Sequence, residues 1–139
     1  MELRRGIDPV QRYLDDARAL ARSPELPDDL RGELVTSCCR SAIEAAAHTA
    51  IRARRLGIGE HHSAVEEALA NATSTHQVVT LAVFDDPTRH ADLLPRLNTV
   101  GSWAANALQA ARRGAHAGHS GNLDVLIRDC ERLAKWVSR

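Results

Sequence analysis

Apolar residues recur along this chain at intervals of three and four positions, which is the spacing of an amphipathic α-helix. The C-terminal segment shows this most clearly, with apolar residues at Leu123, Leu126, Ile127, Cys130, Leu133, Ala134 and Val137. These positions fall within one stripe of ~120° on a helix, which is typical of a face that packs on a core. No segment alternates with the two-residue period of a strand, so the sequence predicts an all-α protein.

Helix start and stop signals divide the pattern into segments. Asp8-Pro9 is an N-cap followed by proline, Ser74 to Gln77 has the spacing of a capping box, and Pro and Gly residues interrupt the pattern between segments. We therefore predict an up-and-down bundle of four main helices plus one or two short ones. The predicted helices are Asp8–Arg22, Asp28–Leu56, a short one near Ser63–Ala70, Ser74–Phe84, Leu93–Arg113 and Asn122–Val137.

Some helical faces carry polar or isolated apolar residues that a core does not explain. On the long second helix a polar ribbon recurs every four residues, at Arg40, Glu44, His48 and Arg52. A polar stripe on the predicted helix 93–113 comprises Ser102, Asn106, Gln109 and Arg113. On the last helix, Val125 and Trp136 lie opposite the core stripe, which predicts an exposed contact surface there.

Composition narrows the class of protein. The length of 139 residues predicts a single domain over 1–139, and the formal net charge of zero gives no overall attraction to nucleic acid or membrane. The cysteines Cys38, Cys39 and Cys130 form no disulfide framework. Because neither a signal peptide nor an apolar run of ~18 residues is visible, we expect a cytoplasmic protein without a membrane anchor. No cofactor-binding motif appears in the sequence, so we expect no cofactor.

The strongest candidate site is the run Arg112-Arg113-Gly114-Ala115-His116-Ala117-Gly118-His119, which joins the last two long helices. Arginine binds phosphate bidentately and histidine transfers protons near neutral pH, so the run suits phosphodiester chemistry. Two alternatives remain open. Cations at a helix C-terminus also offset its dipole, and His116 and His119 could share a metal with His61-His62 or an aspartate.

Two further groups of charged residues are candidates. Arg40 and Glu44 can form a surface ion pair, which stabilises a helix by only ~0.2–0.5 kcal/mol. The arginines Arg52, Arg54 and Arg55 could face phosphate, but aromatic residues are not interleaved with them. Base stacking on this run is therefore not expected, and the run is more typical of a solvated helix end.

This arrangement resembles the HEPN superfamily of small helical domains, which place an arginine four to six residues before a histidine at the junction preceding the last long helix. Arg113 and His119 fit the loose form of that spacing, and Asn106 to His116 is similar to a subgroup with a basic residue, glycine and histidine there. Arg40 and Glu44 match an Arg-x3-Glu feature on the second helix. Gly114 departs from the pattern, since HEPN ribonucleases usually have a polar residue after the arginine.

The resemblance implies an RNA-directed module, either a metal-independent endoribonuclease or an RNA-sensing domain of a bacterial defence or stress system. In the catalytic form, His119 or His116 would be the general base and Arg113 would hold the phosphate, with Arg40, Glu44, Asn106 and Arg112 as binding residues. Because one copy offers few such groups, we expect a homodimer that brings both loops into one cleft. The alternative is a non-catalytic dimerisation or docking domain of a larger ATPase-containing protein or complex, using the Val125 and Trp136 surface.

Overall fold

The computed structural model describes residues 8–113 and 122–139, and this part of the chain is all-helical, without strands. Seven α-helices follow one another, with a 3-10 segment at Pro87–Asp92 between the fourth and the fifth. Their bounds are α1 Pro9–Ala21, α2 Asp28–Gly57, α3 His62–Asn71, α4 Thr75–Phe84, α5 Leu93–Val100, α6 Ser102–Arg113 and α7 Leu123–Val137. The all-α prediction is confirmed, and more helices are present than the four main and one or two short ones expected.

The helix starts follow the sequence signals. Asp8 Oδ1 accepts a hydrogen bond from Val10 N at 3.0 Å, and Asn122 Oδ1 accepts one from Asp124 N at 2.8 Å, so each caps the first turn of its helix. Ser74 and Gln77 form the predicted capping box at the start of α4. Gly32 interrupts nothing within α2, whose length of 30 residues corresponds to ~45 Å.

One predicted helix is wrong in extent. The segment expected to run from Leu93 to Arg113 is two helices, because the chain turns at Gly101, with φ of 159° and ψ of 150°. Gly101 ends α5 through its N–H, which donates to Leu97 O at 3.1 Å, and begins α6 through its C=O, which accepts from Ala104 N at 3.0 Å. The side chain of Trp103 packs over this turn, with ring atoms 2.6 Å from where a Cβ of residue 101 would lie.

The core lies between α2 and the helices around it. The largest fully buried side chains come from every α-helix: Leu14, Val35, Ile43, Ile51, Val65, Val79, Leu81, Leu93, Leu97, Leu108, Ile127 and Leu133. The predicted core stripe of α7 is confirmed, since six of its seven residues are buried and Leu123 packs against the core. Small alanines on α2 and α6 let the backbones approach closely.

The direction of α4 determines where its first turn lies. Glu44 contacts Thr75 at the start of α4, while Arg54, further along α2, contacts Ala82 near its end. The two helices therefore run side by side in the same direction, with α3 returning the chain between them. As a result, the N-terminus of α4 opens beside the middle of α2. Within the described residues, no helix is long and apolar enough to cross a bilayer.

Candidate functional site

Three of the predicted site residues line one surface cleft of about 360 Å³, although they come from two helices that are far apart in the sequence. Arg40 and Glu44 reach the cleft from α2, and Arg112 reaches it from the last turn of α6. The remaining wall is the start of α4, formed by Thr73, Ser74 and Thr75. We call this set the α2–α4–α6 cleft.

A short hydrogen bond joins the two sides of the cleft. Thr75 is buried, and its hydroxyl donates to Glu44 Oε2 at 2.5 Å. The bond holds the carboxylate of Glu44 at the first residue of α4. No hydrogen bond from a described residue reaches the other oxygen, Oε1, so Glu44 retains acceptor capacity in the cleft.

The first turn of α4 contributes backbone donors as well. Ser74 Oγ accepts from Gln77 N at 3.2 Å, and Gln77 Oε1 accepts from Thr73 N at 2.8 Å and from Ser74 N at 3.2 Å. This leaves the N–H groups of Thr75 and His76 without an acceptor in the described part of the chain. Such donors, together with the positive end of the helix dipole, favour an anion.

The two arginines of the cleft are available to a ligand. Arg40 is half-buried and Arg112 is exposed, and neither lies within 4.0 Å of a carboxylate among residues 8–113 and 122–139. Among the described residues that line the cleft, Glu44 is the one carboxylate, so their side chains carry a positive balance of one charge. The guanidinium groups and the helix N-terminus therefore act in the same electrostatic sense.

The other predicted site residues are placed differently. Arg113 and Asn106 are exposed on α6 and do not line the α2–α4–α6 cleft, although Arg113 directly follows Arg112. His116 and His119 lie outside the described residues, so their proposed catalytic role is neither supported nor contradicted by the structure.

Beyond Glu44, the polar ribbon of α2 continues with His48 and Arg52, and Arg52 contacts α3. The Arg52 guanidinium donates to both carboxylate oxygens of Glu66, at 2.9 and 3.1 Å. This hydrogen bonding lowers the pKa of Glu66. The pKa of His48 is lowered by burial, then by the nearby charge of Arg52, so its neutral form is favoured. Arg52 therefore joins α2 to α3 through Glu66.

The remaining arginines of the 52–55 run also have partners. Arg54 Nη2 donates to Ala82 O at 2.5 Å, and Arg55 pairs with Asp85 at 3.0 Å and with Glu60 at 3.2 Å. The run therefore stabilises the ends of α2 and α4 and is not a freely solvated helix end.

The alternative hypothesis of a metal site has no support from the described part of the chain. No group of three or more His, Cys, Asp or Glu side chains in residues 8–113 and 122–139 could hold a metal ion. His61, one of its candidates, instead caps α3, since its Nδ1 accepts from Ser63 N at 3.2 Å. The other candidates, His116 and His119, lie outside this part.

Of the two residues expected to form an exposed surface on α7, Val125 and Trp136, only Val125 is exposed. Val125 is exposed at 39%, but Trp136 is half-buried and packs against the core. The guanidinium of Arg96 on α5 lies over the Trp136 ring, 5.2 Å from its centre. Near the C-terminal end of α7, the side opposite its main core stripe is thus covered in part by an arginine of α5.

Sequence reasoning missed Thr73, Ser74 and Thr75 as cleft residues. The capping box indicated where α4 begins, but nothing in the sequence indicated that this end faces Glu44. Comparisons with protein-family models, curated proteins and solved structures find no match for this chain.

Proposed function

We propose that the chain is a cytoplasmic RNA-directed module whose α2–α4–α6 cleft binds a phosphate of the RNA backbone. One observation carries the proposal: Arg40 of α2 and Arg112 of α6 line the same cleft as the first turn of α4. The resemblance to HEPN domains supports the same function, because it draws on Arg40 and Glu44 of the cleft and on Arg113, which directly follows Arg112.

Phosphate is the ligand that best fits these groups. Arginine presents a planar set of N–H donors that matches two phosphate oxygens at once. The free N–H groups of Thr75 and His76 add backbone donors of the kind that bind phosphate at helix N-termini. A carboxylate ligand would satisfy the arginines as well, but it has fewer oxygens to share among donors on three sides of the cleft.

Glu44 favours RNA over DNA within this proposal. Its Oε2 is held by Thr75, while Oε1 has no donor among the described residues. A ribose 2′-OH can donate to Oε1 when the neighbouring phosphate lies between the arginines. Deoxyribose lacks this donor, so Glu44 would face DNA with its repulsive charge alone.

In the catalytic version of this proposal, His119 or His116 takes the proton from a ribose 2′-OH. The 2′ oxygen then bonds to the adjacent phosphorus, the bond from phosphorus to the 5′ oxygen breaks, and that oxygen takes up a proton. Arg113, with Arg112 beside it, would stabilise the charge on the phosphate oxygens. Acid–base catalysis of this kind contributes ~10²–10⁴-fold, so His119→Ala or His116→Ala should nearly abolish cleavage.

A two-fold homodimer is part of the proposal. It would place two copies of Arg113, His116 and His119 around one substrate, which provides groups for both the attacking and the leaving oxygen. Light scattering at tens of micromolar protein would give a mass near twice 15.2 kDa. A monomer at that concentration would contradict the proposed homodimer and the substrate site that its two copies share.

Fluorescence anisotropy with a labelled 12-nucleotide single-stranded RNA tests the binding step. Arg40→Gln and Arg112→Gln should each weaken binding, and each should reduce the slope of log Kd against log salt by about 0.7, the value for one phosphate contact on a single strand. Arg128→Gln is the matched control, because Arg128 is exposed on α7 and does not line the cleft. Equal weakening by all three variants would overturn the proposed phosphate site.

Glu44→Gln tests the sugar preference separately. Gln keeps an acceptor for the 2′-OH but removes the charge that disfavours DNA. The ratio of DNA Kd to RNA Kd should therefore fall toward one while RNA binding persists. An unchanged ratio would contradict the role assigned to Glu44.

Metal-independent cleavage needs its own assay. The RNA is incubated with the protein in EDTA, and the products are analysed for 2′,3′-cyclic phosphate ends. The expected results are cyclic ends from the wild type and intact RNA from whichever of the two variants, His119→Ala or His116→Ala, has lost the general base. RNA that stays intact with the wild type at micromolar concentration would leave RNA binding as the function and remove the catalytic step.

A further inference from the structure

A second arginine-rich surface lies at the other end of α4 from the α2–α4–α6 cleft. Here the ends of α2, α4 and α7 meet α5 around a shallow pocket of about 220 Å³. Its lining includes three arginines and two aromatic residues, namely Arg54, Arg96, Arg139, Phe84 and Trp136. We call this set the arginine–aromatic surface.

Arginines already lie against both rings. The Arg96 guanidinium is 5.2 Å from the centre of the Trp136 ring, and that of Arg89 is 4.1 Å from the centre of the Phe84 ring. Both residues are half-buried, so each packs against the core and keeps part of its surface accessible beside the arginine. A nucleic-acid base stacks on such a ring or on a guanidinium plane.

Part of the positive charge has a structural role. Arg54 Nη2 donates to Ala82 O, which satisfies a carbonyl in the last turn of α4. Its other nitrogen, Nη1, is buried without a hydrogen-bond partner and lies 3.8 Å from Asp85, which also pairs with Arg55. This donor of Arg54 therefore has no hydrogen-bond partner in the described part of the chain and, being buried, is not open to a ligand.

The other two arginines are not needed for this capping. Arg96 Nη1 donates to the hydroxyl of Thr99 at 2.8 Å, and neither Arg96 nor Arg139 has a carboxylate within 4.0 Å in residues 8–113 and 122–139. Helix C-termini attract cations by typically 0.3–1 kcal/mol. That attraction explains the presence of positive charge here but not its combination with two half-open rings.

We propose that the arginine–aromatic surface binds a single-stranded segment of nucleic acid, in which a base takes the place of the Arg96 guanidinium over the Trp136 ring and the displaced Arg96, with Arg139, holds phosphates. This surface extends the proposed RNA-directed function beyond the α2–α4–α6 cleft, and it rests on that function. Single-strand binding sites combine these same elements, a basic track and aromatic stacking positions.

The two surfaces are suitably placed for one strand. Arg54 lies ~21 Å along α2 from Arg40 and only ~40° around the helix, so both point toward the side that carries α4. At ~3.4 Å per nucleotide of a stacked strand, this separation corresponds to about six nucleotides. A 12-nucleotide RNA therefore reaches both surfaces.

Paired arginine substitutions test the phosphate contacts with the labelled 12-nucleotide RNA. Arg96→Gln with Arg139→Gln should weaken binding and reduce the slope of log Kd against log salt by about 1.4, ~0.7 for each contact. The matched control is Arg12→Gln with Arg128→Gln. It removes the same charge from exposed positions, one of them 6.0 Å from the ring of Tyr13.

Tryptophan fluorescence tests the stacking. The RNA should quench the wild type, Trp136→Phe should lose most of this quenching, and Trp103→Phe should keep it. Trp103 is the appropriate control because it is also half-buried beneath an arginine, with Arg132 3.9 Å from its ring centre. Circular dichroism of each variant establishes that the fold is retained, and a variant that unfolds is replaced by Arg96→Gln alone.

The outcomes separate this surface from the cleft. If the Arg96→Gln, Arg139→Gln double variant behaves like its control while Arg40→Gln and Arg112→Gln weaken binding, the arginine–aromatic surface does not bind RNA and the proposed function stands. If only the double variant weakens binding, the arginine–aromatic surface binds RNA and the α2–α4–α6 cleft does not. Displacement of the RNA by a glutamate-rich peptide of equal charge at equal concentration would overturn nucleic acid as the occupant.

Discussion

The hydroxyl of Thr75 donates to Glu44 Oε2 at 2.5 Å, which joins the first residue of α4 to the middle of α2. Thr75 is buried, and Glu44 is half-buried. The bond therefore has two consequences. It fixes the register of α4 against α2, and it holds the carboxylate that lines the α2–α4–α6 cleft.

Replacing Thr75 by valine should destabilise the fold. Valine keeps the shape but leaves Glu44 without its hydroxyl donor, and hydrogen bonds to charged groups contribute ~1.5–3 kcal/mol. Since Glu44 is only half-buried, we expect a loss of about 1–2 kcal/mol in the free energy of unfolding, measured by urea denaturation. Thr75→Ser, which keeps the hydroxyl, should recover most of it. Equal stability of Thr75→Val and wild type would contradict this role.

Gly101 and Gly32 should respond oppositely to alanine. A Cβ at residue 101 would lie 2.6 Å from two ring atoms of Trp103, so the ring or the turn must shift. Overpacking of this kind costs about 1–3 kcal/mol. A Cβ at residue 32 meets nothing within 4 Å inside α2, so Gly32→Ala should stabilise by ~0.5–1 kcal/mol. Thermal unfolding of both variants checks the pair, and a shift in the same direction would be the contrary result.

Gly101 also illustrates what periodicity can and cannot predict. The helical spacing of apolar residues continues from Leu93 to Ala111, and a glycine inside a helix costs only about 1 kcal/mol, so the pattern gave no reason to divide the segment. The packing of the Trp103 ring over the turn is a local contact that the spacing of apolar residues does not encode. Trp136 was misjudged because it packs against the core and Arg96 of α5 lies over its ring, and the periodicity of α7 alone encodes neither contact.

The candidate site was predictable to the same extent. Arg40 and Glu44 were identified from a four-residue spacing, which depends only on α2 itself. Their approach to Thr75 and Arg112 depends on how α4 and α6 pack against α2, and local sequence does not determine that register. Local signals thus predicted the helix ends well, whereas the partners across the cleft required the structure.

The turn between α1 and α2 should depend on arginine at position 31. Its guanidinium donates to Ser23 O at 2.9 Å and to Leu26 O at 2.6 Å, and it also pairs with Asp28 at 2.7 Å. Lysine cannot reproduce this planar set of donors. Arg31→Lys and Arg31→Ala should both lower the free energy of unfolding by about 1.5–3 kcal/mol, while exposed Arg22→Ala changes it by less than ~0.5 kcal/mol. Full retention of stability by Arg31→Lys would show that charge alone is sufficient.

The cysteines should be unreactive in the folded protein. Cys39 and Cys130 are fully buried, and a hydrogen bond with Cys39, together with burial, raises the pKa of the Cys130 thiol well above its usual value. Cys38 is half-buried, and burial, followed by the charge of Asp16, raises its pKa as well. Because the thiolate is the reactive form, Ellman's reagent at pH 8 should label Cys38 slowly and the other two not at all. All three thiols should react at once in guanidinium chloride, and rapid labelling of Cys130 in native buffer would contradict the buried position.

Acidification below pH 7 should destabilise the protein through His48. Burial, and next the charge of Arg52, lower the pKa of this imidazole, against the smaller opposing effects of Glu44 and Glu66. The unfolded chain, with a histidine pKa near ~6.5, then binds more protons than the folded chain as pH falls past that value. Stability is therefore fully present above about pH 7.5 and declines as the pH falls toward the lowered pKa of folded His48.

His48→Gln should flatten this decline between pH 8 and pH 5.5, as measured by urea denaturation at several pH values. His90→Gln is the control, because His90 is exposed and its side chain makes no hydrogen bond or ion pair within residues 8–113 and 122–139, while its backbone carbonyl accepts from His76 Nε2 at 2.8 Å. The effect of Glu66 is separable, since a carboxylate with a lowered pKa loses its contribution only below about pH 4.5. Parallel pH profiles for wild type and His48→Gln would assign the decline to another group.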